Sequence, residues 1–159
     1  MLTFTLDDAA ATEALGCRVA RAVTAAGLTR IVVLLEGPLG TGKTTFARGF
    51  LRELGETGPI ASPTYAIVHP YSAASHADVY RIDDVPGLGQ TGLLDAIEDG
   101  VWLVEWGSRF PGAWPGDRLE VTIVDDHAEW ADRPGRTATV QATGSAAILV
   151  CEKIRQEKP

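Results

Sequence analysis

A glycine-rich stretch between an apolar run and a helical pattern constrains the fold more than any other part of the chain. Residues 37–45 read GPLGTGKTT and directly follow the apolar residues 31–35. This fits the spacing of a P-loop, in which a glycine, four residues and a second glycine precede a lysine and a threonine. Backbone N–H groups can surround a phosphate chain where Cβ atoms are absent, and the following helix adds its positive dipole end. We therefore predict a strand at 31–36, a phosphate-binding loop, and a helix that starts near Lys43.

Chemistry at a P-loop needs oxygen ligands for Mg²⁺ beyond the loop itself. Lys43 would reach the β- and γ-phosphates of a nucleotide, and Thr44 would place its hydroxyl on Mg²⁺. Two acids are candidates for the rest of the site. Glu105 directly follows the apolar residues 101–104, where a Walker-B-type acid belongs, and Asp78 lies between positions compatible with a buried strand. We predict Lys43, Asp78 and Glu105 as catalytic residues and Thr44, Asp78 and Glu105 as the metal site, and the sequence leaves open which acid touches the ion directly.

Side chains outside the loop complete the predicted nucleotide site. Thr64, in a Ser-Pro-Thr sequence, is a candidate because a loop threonine can approach the metal when a γ-phosphate is present. Trp106 follows the acid, so it lines either the nucleotide pocket or a partner surface. His76 is an acid–base group or a hydrogen-bonding core residue, and both roles stay open. The predicted nucleotide contacts are Gly37, Leu39, Gly40, Thr41, Gly42, Lys43, Thr44, Thr45, Thr64 and Trp106.

The pattern along the chain predicts an α/β fold with a single P-loop domain over residues 1–159. We expect three layers, with a central mixed but mostly parallel sheet flanked by helices. Trp102 is predicted to be a core residue, whereas Trp114 and Trp130 lie in loop-like segments, where exposed aromatic residues mark interfaces. The predicted strands cover residues 2–6, 31–36, 65–69, 76–82, 101–104, 118–124 and 136–142, and the predicted helices start near residues 8, 43, 93 and 145. Residues 83–92 are predicted as a loop or a frayed turn, and residues 107–117 and 125–135 as loops. The predicted apolar stripe of the last helix consists of Ala146, Leu149, Val150 and Ile154.

Charge and composition narrow the range of partners. The net charge is −7, which argues against a broad surface for DNA or RNA, because such surfaces need clustered lysine and arginine. No apolar run approaches the roughly 20 residues that a membrane-spanning helix needs, and the first residues do not resemble a signal peptide. Cys17 and Cys151 are too few for a disulfide framework and are expected to be small buried or half-buried side chains. We therefore expect a cytoplasmic protein with no membrane or DNA partner.

Four motifs, in their order and spacing, resemble those of the bacterial TsaE family, formerly YjeE. They lie at residues 39–51, 62–65, 76–81 and 104–106, and the resemblance covers most of residues 5–125. Two positions depart from the family pattern. Pro38 stands where an acid is common, and Ala77 stands where an aromatic residue is common. We expect binding to survive Pro38, because its side chain would point away from the phosphates.

The resemblance implies a P-loop ATPase of tRNA threonylcarbamoyladenosine biosynthesis. Such a protein is not itself the transferase: it binds and slowly hydrolyses ATP, with Mg²⁺, while docked on the TsaB–TsaD pair that modifies an adenosine beside the tRNA anticodon. By position, Lys43 and Thr44 correspond to the phosphate and Mg²⁺ residues, Asp78 and Glu105 to the metal-site acids, and Thr64 to a switch-like threonine. An acidic chain fits this role, because contact with tRNA would be made only indirectly, through the partners.

Two other functions remain open from the residues alone. The chain could be a P-loop kinase of a small molecule, although it has no arginine-rich lid insertion. It could also be a nucleotide-gated interaction module with negligible hydrolysis. It lacks the Asn/Thr-Lys-x-Asp element that reads guanine, which disfavours a GTPase, but the preference for ATP itself comes from the resemblance. In every case we expect Lys43 to be solvent-facing without a ligand, so that its replacement should leave the fold intact.

Overall fold

A computed structural model describes residues 1–63, 66–125 and 135–157 of the chain. Within these residues, seven strands form one sheet and five α-helices and one 3-10 turn accompany it. The strands are β1 (Leu2–Leu6), β2 (Ile31–Glu36), β3 (Val68–Pro70), β4 (Ser75–Asp78), β5 (Val101–Glu105), β6 (Arg118–Asp125) and β7 (Arg136–Thr143), and the helices are α1 (Ala9–Ala25), α2 (Lys43–Glu53), α3 (Val85–Gln90), α4 (Leu93–Ala96) and α5 (Ser145–Gln156), with the 3-10 turn at Gly107–Arg109.

The P-loop strand β2 lies in the middle of the sheet, whose order is β1-β7-β6-β2-β5-β4-β3. It pairs in parallel with β5 on one side and with β6 on the other, and β4 pairs in parallel with β5. The antiparallel pairs are β1–β7, β6–β7 and β3–β4, which lie toward the two edges. This confirms the expected mixed, mostly parallel sheet. Because β2, β4 and β5 run in the same direction, their carboxyl ends lie at the same end of the sheet.

The side chains of β2 alternate between two separate cores, as a strand buried on both faces requires. Ile31, Val33 and Leu35 pack with residues of α1, α2 and α5, and we call this side of the sheet the long-helix face. Val32 and Leu34 pack with residues of α3 and α4, on what we call the short-helix face. The three layers predicted from the sequence are therefore present.

The backbones of helices α1 and α2 come into near contact at Gly16 and Gly49. A Cβ atom added to Gly49 would lie 1.9 Å from the backbone oxygen of Glu13, and one added to Gly16 would lie 2.1 Å from that of Phe46. Only glycine permits so close an approach. The Asp8 side chain accepts a hydrogen bond from the Ala11 N–H and so caps α1, in agreement with the expected cap at Asp7 or Asp8.

Two predicted elements between residues 65 and 92 are wrong. The strand predicted over 76–82 ends at Asp78, because the Asp78 carboxylate accepts the Tyr80 N–H at 2.8 Å and turns the chain. Residues 83–92, predicted as a loop or a frayed turn, contain the six-residue helix α3, whose N-terminus is capped by Asp84 and carries a proline in its first turn. The strand predicted over 65–69 starts at Val68, and Tyr65 lies outside the described residues.

Two exposure predictions are also wrong. Leu149, placed on the apolar stripe of α5, is exposed, and the buried residues of that helix include Ala147 and Cys151 with Val150 and Ile154. Trp114, expected as an exposed loop aromatic, is buried, and its indole N–H donates to the Gly107 carbonyl at 2.7 Å. Trp130, Thr64 and most of the loop predicted at 125–135 lie outside the described residues.

Trp102 is buried, Cys151 is buried and Cys17 is half-buried, as predicted. No helix among the described residues is both long enough and apolar enough to span a bilayer.

Candidate nucleotide site

The loop between β2 and α2 has the backbone geometry of a phosphate-binding loop. Gly37, Gly40 and Gly42 all have positive φ angles, of 127°, 83° and 110°. At Gly37 the requirement is strict, because an added Cβ would lie 2.0 Å from the Ile123 oxygen on β6. The N-terminus of α2 begins directly after Gly42 and points its free N–H groups into the concave side of the loop.

Lys43 is buried, which corrects the expectation that it faces solvent. Its side chain is 4% exposed, and its ammonium donates to the carbonyls of Gly37 at 2.7 Å and Pro38 at 2.9 Å. The ring of Trp106 covers the ammonium, with 3.9 Å between Nζ and the ring centroid. Burial lowers the pKa of Lys43, and the negative charges of Glu105, Asp78 and Glu36 oppose that shift.

Glu105 and Thr44 form the part of the site best suited to a magnesium ion. The Thr44 hydroxyl donates to Glu105 Oε1 at 2.9 Å, so the first turn of α2 is joined directly to the end of β5. Glu105 is 4% exposed. His76 Nε2 lies 2.9 Å from the same oxygen, and because a carboxylate accepts, the imidazole donates from Nε2. The fully buried His76 therefore orients Glu105, which is closer to the core hydrogen-bonding role than to an acid–base role.

Asp78 stands beside Glu105 because β4 and β5 pair in parallel and place these two residues opposite each other. Asp78 is 4% exposed and also accepts the Tyr80 N–H. Its neighbour Val79 donates its N–H to the Glu105 carbonyl at 3.2 Å. The two acids predicted for the metal site are therefore brought together on adjacent strands.

The turn after β5 carries Trp106 in a strained backbone conformation. Trp106 has a φ of 67°, which is unusual for a bulky residue and is found where the surroundings hold it in place. Its N–H donates to the Leu35 carbonyl, and its ring lies 5.0 Å from that of Tyr80. The pocket interpretation of Trp106 is thus supported by its position over Lys43.

Glu36 ties this turn to the P-loop strand. Its two carboxylate oxygens accept the Ser108 N–H at 2.7 Å and the Ser108 hydroxyl at 2.6 Å. Burial raises the pKa of Glu36, and both hydrogen bonds from Ser108 oppose that shift. Neither Glu36 nor Ser108 belongs to a recognised motif, so no signal in the sequence indicated this pair.

A pocket of about 290 Å³ lies at the P-loop. Nine of the predicted site residues line it, together with Ser62, Tyr80 and Arg81, which were not predicted as site residues. Thr41 is buried, with its hydroxyl donating to the Pro38 carbonyl, so a ligand would meet its backbone only. The predicted residues in the lining are Leu39, Gly40, Gly42, Lys43, Thr44, Thr45, Asp78, Glu105 and Trp106.

The donor atoms of this pocket fit Mg²⁺ bound together with nucleotide phosphates. Mg²⁺ takes oxygen ligands and usually retains several waters, with one or two carboxylates and substrate phosphates completing its shell. Thr44 contributes a hydroxyl, and Asp78 and Glu105 contribute two buried carboxylates whose charge a divalent cation would offset.

Fold and site together define a P-loop protein of the α/β class. The family model described as Threonylcarbamoyl adenosine biosynthesis protein TsaE matches residues 6–137. The chain is also similar to two proteins named tRNA threonylcarbamoyladenosine biosynthesis protein TsaE. One, from Bacillus subtilis, is 36% identical over 128 residues, which cover 77% of this chain and 77% of the relative. The other, from Streptomyces coelicolor, is 37% identical over 139 residues, which cover 82% of this chain and 89% of the relative.

A solved structure agrees with these matches. The crystal structure of YdiB from Bacillus subtilis superposes with a TM-score of 0.76 at 29% identity, over 98% of this chain and 94% of that one. The chain therefore belongs to the TsaE family of threonylcarbamoyl adenosine biosynthesis proteins.

Proposed function

We propose that this protein binds ATP with Mg²⁺ and hydrolyses it slowly, as an accessory subunit of tRNA threonylcarbamoyladenosine biosynthesis. In this proposal it supports or resets a TsaB–TsaD transferase in the cytoplasm and meets tRNA only through those partners. The observation that carries the ATPase role is the hydrogen bond from Thr44 to Glu105 beside Lys43. That contact joins the Thr44 hydroxyl to the Glu105 carboxylate in a pocket that Lys43 also lines, which supports the proposed roles in binding Mg²⁺ and phosphate.

Each side chain has a distinct task in this proposal. Lys43 would exchange its hydrogen bonds to the Gly37 and Pro38 carbonyls for bonds to phosphate oxygens. Because the ammonium is already desolvated, the negative charge of the phosphates would stabilise it. Glu105 would orient the attacking water or a water of the metal shell, with His76 holding its carboxylate in position. A bound Mg²⁺ would supply charge neutralisation at the phosphates.

Three features support a gated subunit over a complete phosphotransferase. The Trp106 ring covers Lys43, so the cation must be uncovered or must share the ring with a ligand. Among the residues that the structure describes, the pocket lining comes from the P-loop and the start of α2, from Ser62, and from the ends of β4 and β5 with the turns after them, and none of these belongs to an inserted lid of the kind that a nucleotide kinase carries. The similar proteins are named for a tRNA modification pathway.

The test is release of phosphate from ATP by the full chain, alone and with its cognate TsaB and TsaD proteins. We expect slow release alone and a clear increase when both partners are present. Lys43→Met, which removes the phosphate-binding charge, serves as the background control in the same mixtures.

Tight ATP binding with no hydrolysis in either mixture would favour the nucleotide-gated interaction module instead. Hydrolysis that ignores the partners, together with phosphate transfer to a small acceptor, would favour the kinase.

A further inference from the structure

Arg81 lines the nucleotide pocket, although no role has so far been assigned to it. It belongs to the motif at residues 76–81 and lies in the pocket lining with Lys43, Asp78 and Glu105. Among the described lining residues, Lys43 and Arg81 are the cations. This pocket therefore offers a second positive charge from the same chain.

The backbone of Arg81 is held in place by the turn that follows β4. The Tyr80 N–H donates to the Asp78 carboxylate, the Val79 N–H donates to the Glu105 carbonyl, and the Ile82 N–H donates to the Val79 carbonyl at 3.1 Å. These bonds connect the residues on both sides of Arg81 to the two acids of the site. A long side chain on an ordered turn can reach the pocket with little loss of backbone entropy.

The negative charges of the pocket and of a bound phosphate chain favour a second cation at this site. Asp78 and Glu105 bring two carboxylates to the site, and Glu36 adds a third that acts on Lys43. In phosphoryl transfer, negative charge is spread over the equatorial oxygens of the transferring group and the leaving oxygen, and cations that meet it there lower the barrier. Lys43 is held against the Gly37 and Pro38 carbonyls of the loop, whereas Arg81 follows β4, so the two cations reach the pocket from different elements of the fold.

Two other arginines lie near the site but outside the lining of the pocket. Arg136 pairs with Asp125 at 3.0 Å and lies 3.5 Å from the Gly40 carbonyl. Arg109 lies beside the turn after β4. Its guanidinium donates to the Tyr80 carbonyl and lies 5.7 Å from the Tyr80 ring centroid and 5.9 Å from that of Phe110. It is not part of the pocket lining, and it holds the turn from outside. Arg109 therefore supports the turn, whereas Arg81 lines the pocket.

We propose that Arg81 is a catalytic residue for ATP hydrolysis, binding the transferring phosphoryl group in cis; this rests on the proposed ATPase function. A water oxygen forms a bond to the γ-phosphorus while the bond from that phosphorus to the β–γ bridging oxygen breaks. The electron pair of the broken bond stays on ADP, and the proton lost by the water passes to the phosphate product or to solvent. Arg81 donates N–H groups to the phosphoryl oxygens throughout and keeps its own protons.

The test compares the binding of ADP with that of ADP plus aluminium fluoride, which imitates the transferring phosphoryl group, both in the presence of Mg²⁺. In Arg81→Ala we expect ADP affinity to stay within about threefold of the original, whereas affinity for the aluminium fluoride complex falls about 100-fold or more. Single-turnover hydrolysis, with and without partners, should fall by a similar factor. Arg81→Lys should be intermediate, because a lysine keeps the charge but loses the planar fork.

Arg30→Ala is the matched control. Arg30 precedes β2 at the opposite edge of the sheet, and it contacts the Glu98 carbonyl far from the pocket. This variant should behave like the unchanged chain in every assay. Thermal unfolding of Arg81→Ala and Arg81→Lys checks that both are folded.

Each of the other possible outcomes would overturn the proposed catalytic role of Arg81 for a different reason. Equal losses of ADP and of the aluminium fluoride complex would make Arg81 a ground-state phosphate contact. Normal basal hydrolysis with loss of partner stimulation would make it a docking residue. If the unchanged chain binds no nucleotide, the proposed function fails together with this one, whereas a normal Arg81→Ala variant of an active chain refutes the role of Arg81 alone.

Discussion

The two faces of the sheet are built differently, and the nucleotide site lies where they meet. The long-helix face is covered by α1, α2 and α5, which have 17, 11 and 12 residues. The short-helix face is covered by α3 and α4, which have 6 and 4 residues, and by the turn after β5. Short helices have few backbone hydrogen bonds of their own and depend on packing for their stability.

The division extends to the side chains of the site. Thr44 and Lys43 belong to α2, and Glu105 turns toward α2 from β5, so these groups stand on the long-helix face. Trp106, which covers Lys43, packs instead against the core of the short-helix face. Thr44, Lys43 and Glu105 are thus supported by the longer helices, whereas the ring that covers Lys43 packs against the face whose short helices depend most on packing.

Replacing Lys43 should give the largest effect, and it tests the groups that stand on the long-helix face. For Lys43→Met we expect ATP affinity to fall about 1000-fold, because contacts between an ammonium and phosphates are worth roughly 4 kcal/mol together. The free energy of unfolding should not fall by more than about 1 kcal/mol, since the variant also removes a buried charge. Isothermal titration calorimetry and denaturant unfolding measure the two quantities. A loss of several kcal/mol in stability would show that Lys43 is a structural residue of the loop.

Glu105→Gln comes next and separates binding from hydrolysis. We expect hydrolysis to fall about 100-fold, because the amide cannot supply the negative charge that orients water or the metal shell. ADP affinity should change by less than about threefold, and the melting temperature should be nearly unchanged because the amide oxygen can still accept from Thr44. A fully active variant would shift the essential role to Asp78. His76→Gln should give the same kind of defect at a smaller size.

A matched pair of leucines tests the two cores directly. Leu51 on α2 and Leu88 on α3 are both fully buried, at 1% and 0% exposure. We expect Leu51→Ala to cost about 3–5 kcal/mol in unfolding free energy and Leu88→Ala about 2–3 kcal/mol, because α3 can unfold locally without opening the sheet. Denaturant unfolding gives the costs, and hydrogen exchange should show faster exchange in α3 than in α2. Equal costs with equal protection would remove the distinction between the faces.

The smallest expected effect is a change in stability with pH that depends on Glu36, whose carboxylate accepts two hydrogen bonds from Ser108 in the turn after β5. Burial raises the pKa of Glu36, so the folded protein retains this proton to higher pH than the unfolded chain does. The contribution of Glu36 to stability is therefore fully present below its ordinary pKa and is lost as pH rises through the raised value. Glu36→Gln does not titrate, so its stability relative to the unchanged chain should improve as pH rises across that window and then level off. A difference that does not vary with pH would mean that Glu36 titrates normally.

Ser108→Ala is the control for that experiment. It removes the hydroxyl that donates to Glu36, a contact that lowers the pKa of this carboxyl. The pH window should therefore extend to higher pH in Ser108→Ala than in the unchanged chain.

The sequence was sufficient for the parts of the fold that local pattern controls. The strand at 2–6 follows from alternating apolar residues, the strands at 31–36 and 101–104 follow from apolar runs, and the P-loop follows from its glycine and lysine spacing. Helix α3 escaped prediction because Pro86 and nearby glycines resemble a loop, while the Asp84 cap and the burial of Leu88 outweigh them. A local sequence pattern does not reveal whether contacts with residues distant in sequence will stabilise a capped helix.

The site shows the same limit. The identities of Lys43, Asp78 and Glu105 could be chosen from the sequence, and parallel pairing of β4 with β5 explains why the two acids meet. The burial of Lys43 could not be foreseen, because its cover is Trp106, which is distant in sequence. Contacts of that kind depend on the assembled sheet and not on any motif.

The near contact between α1 and α2 determines which variants of this chain a cell could keep. Gly16 and Gly49 have no space for a Cβ atom, so even Gly49→Ala must push the two helices apart. Such an allele would reduce the amount of folded protein through proteolysis, while the molecules that do fold retain an intact nucleotide site. Substitutions at these two glycines therefore lower the amount of folded protein, and higher expression can compensate for that loss. Higher expression cannot compensate for substitutions that inactivate the pocket.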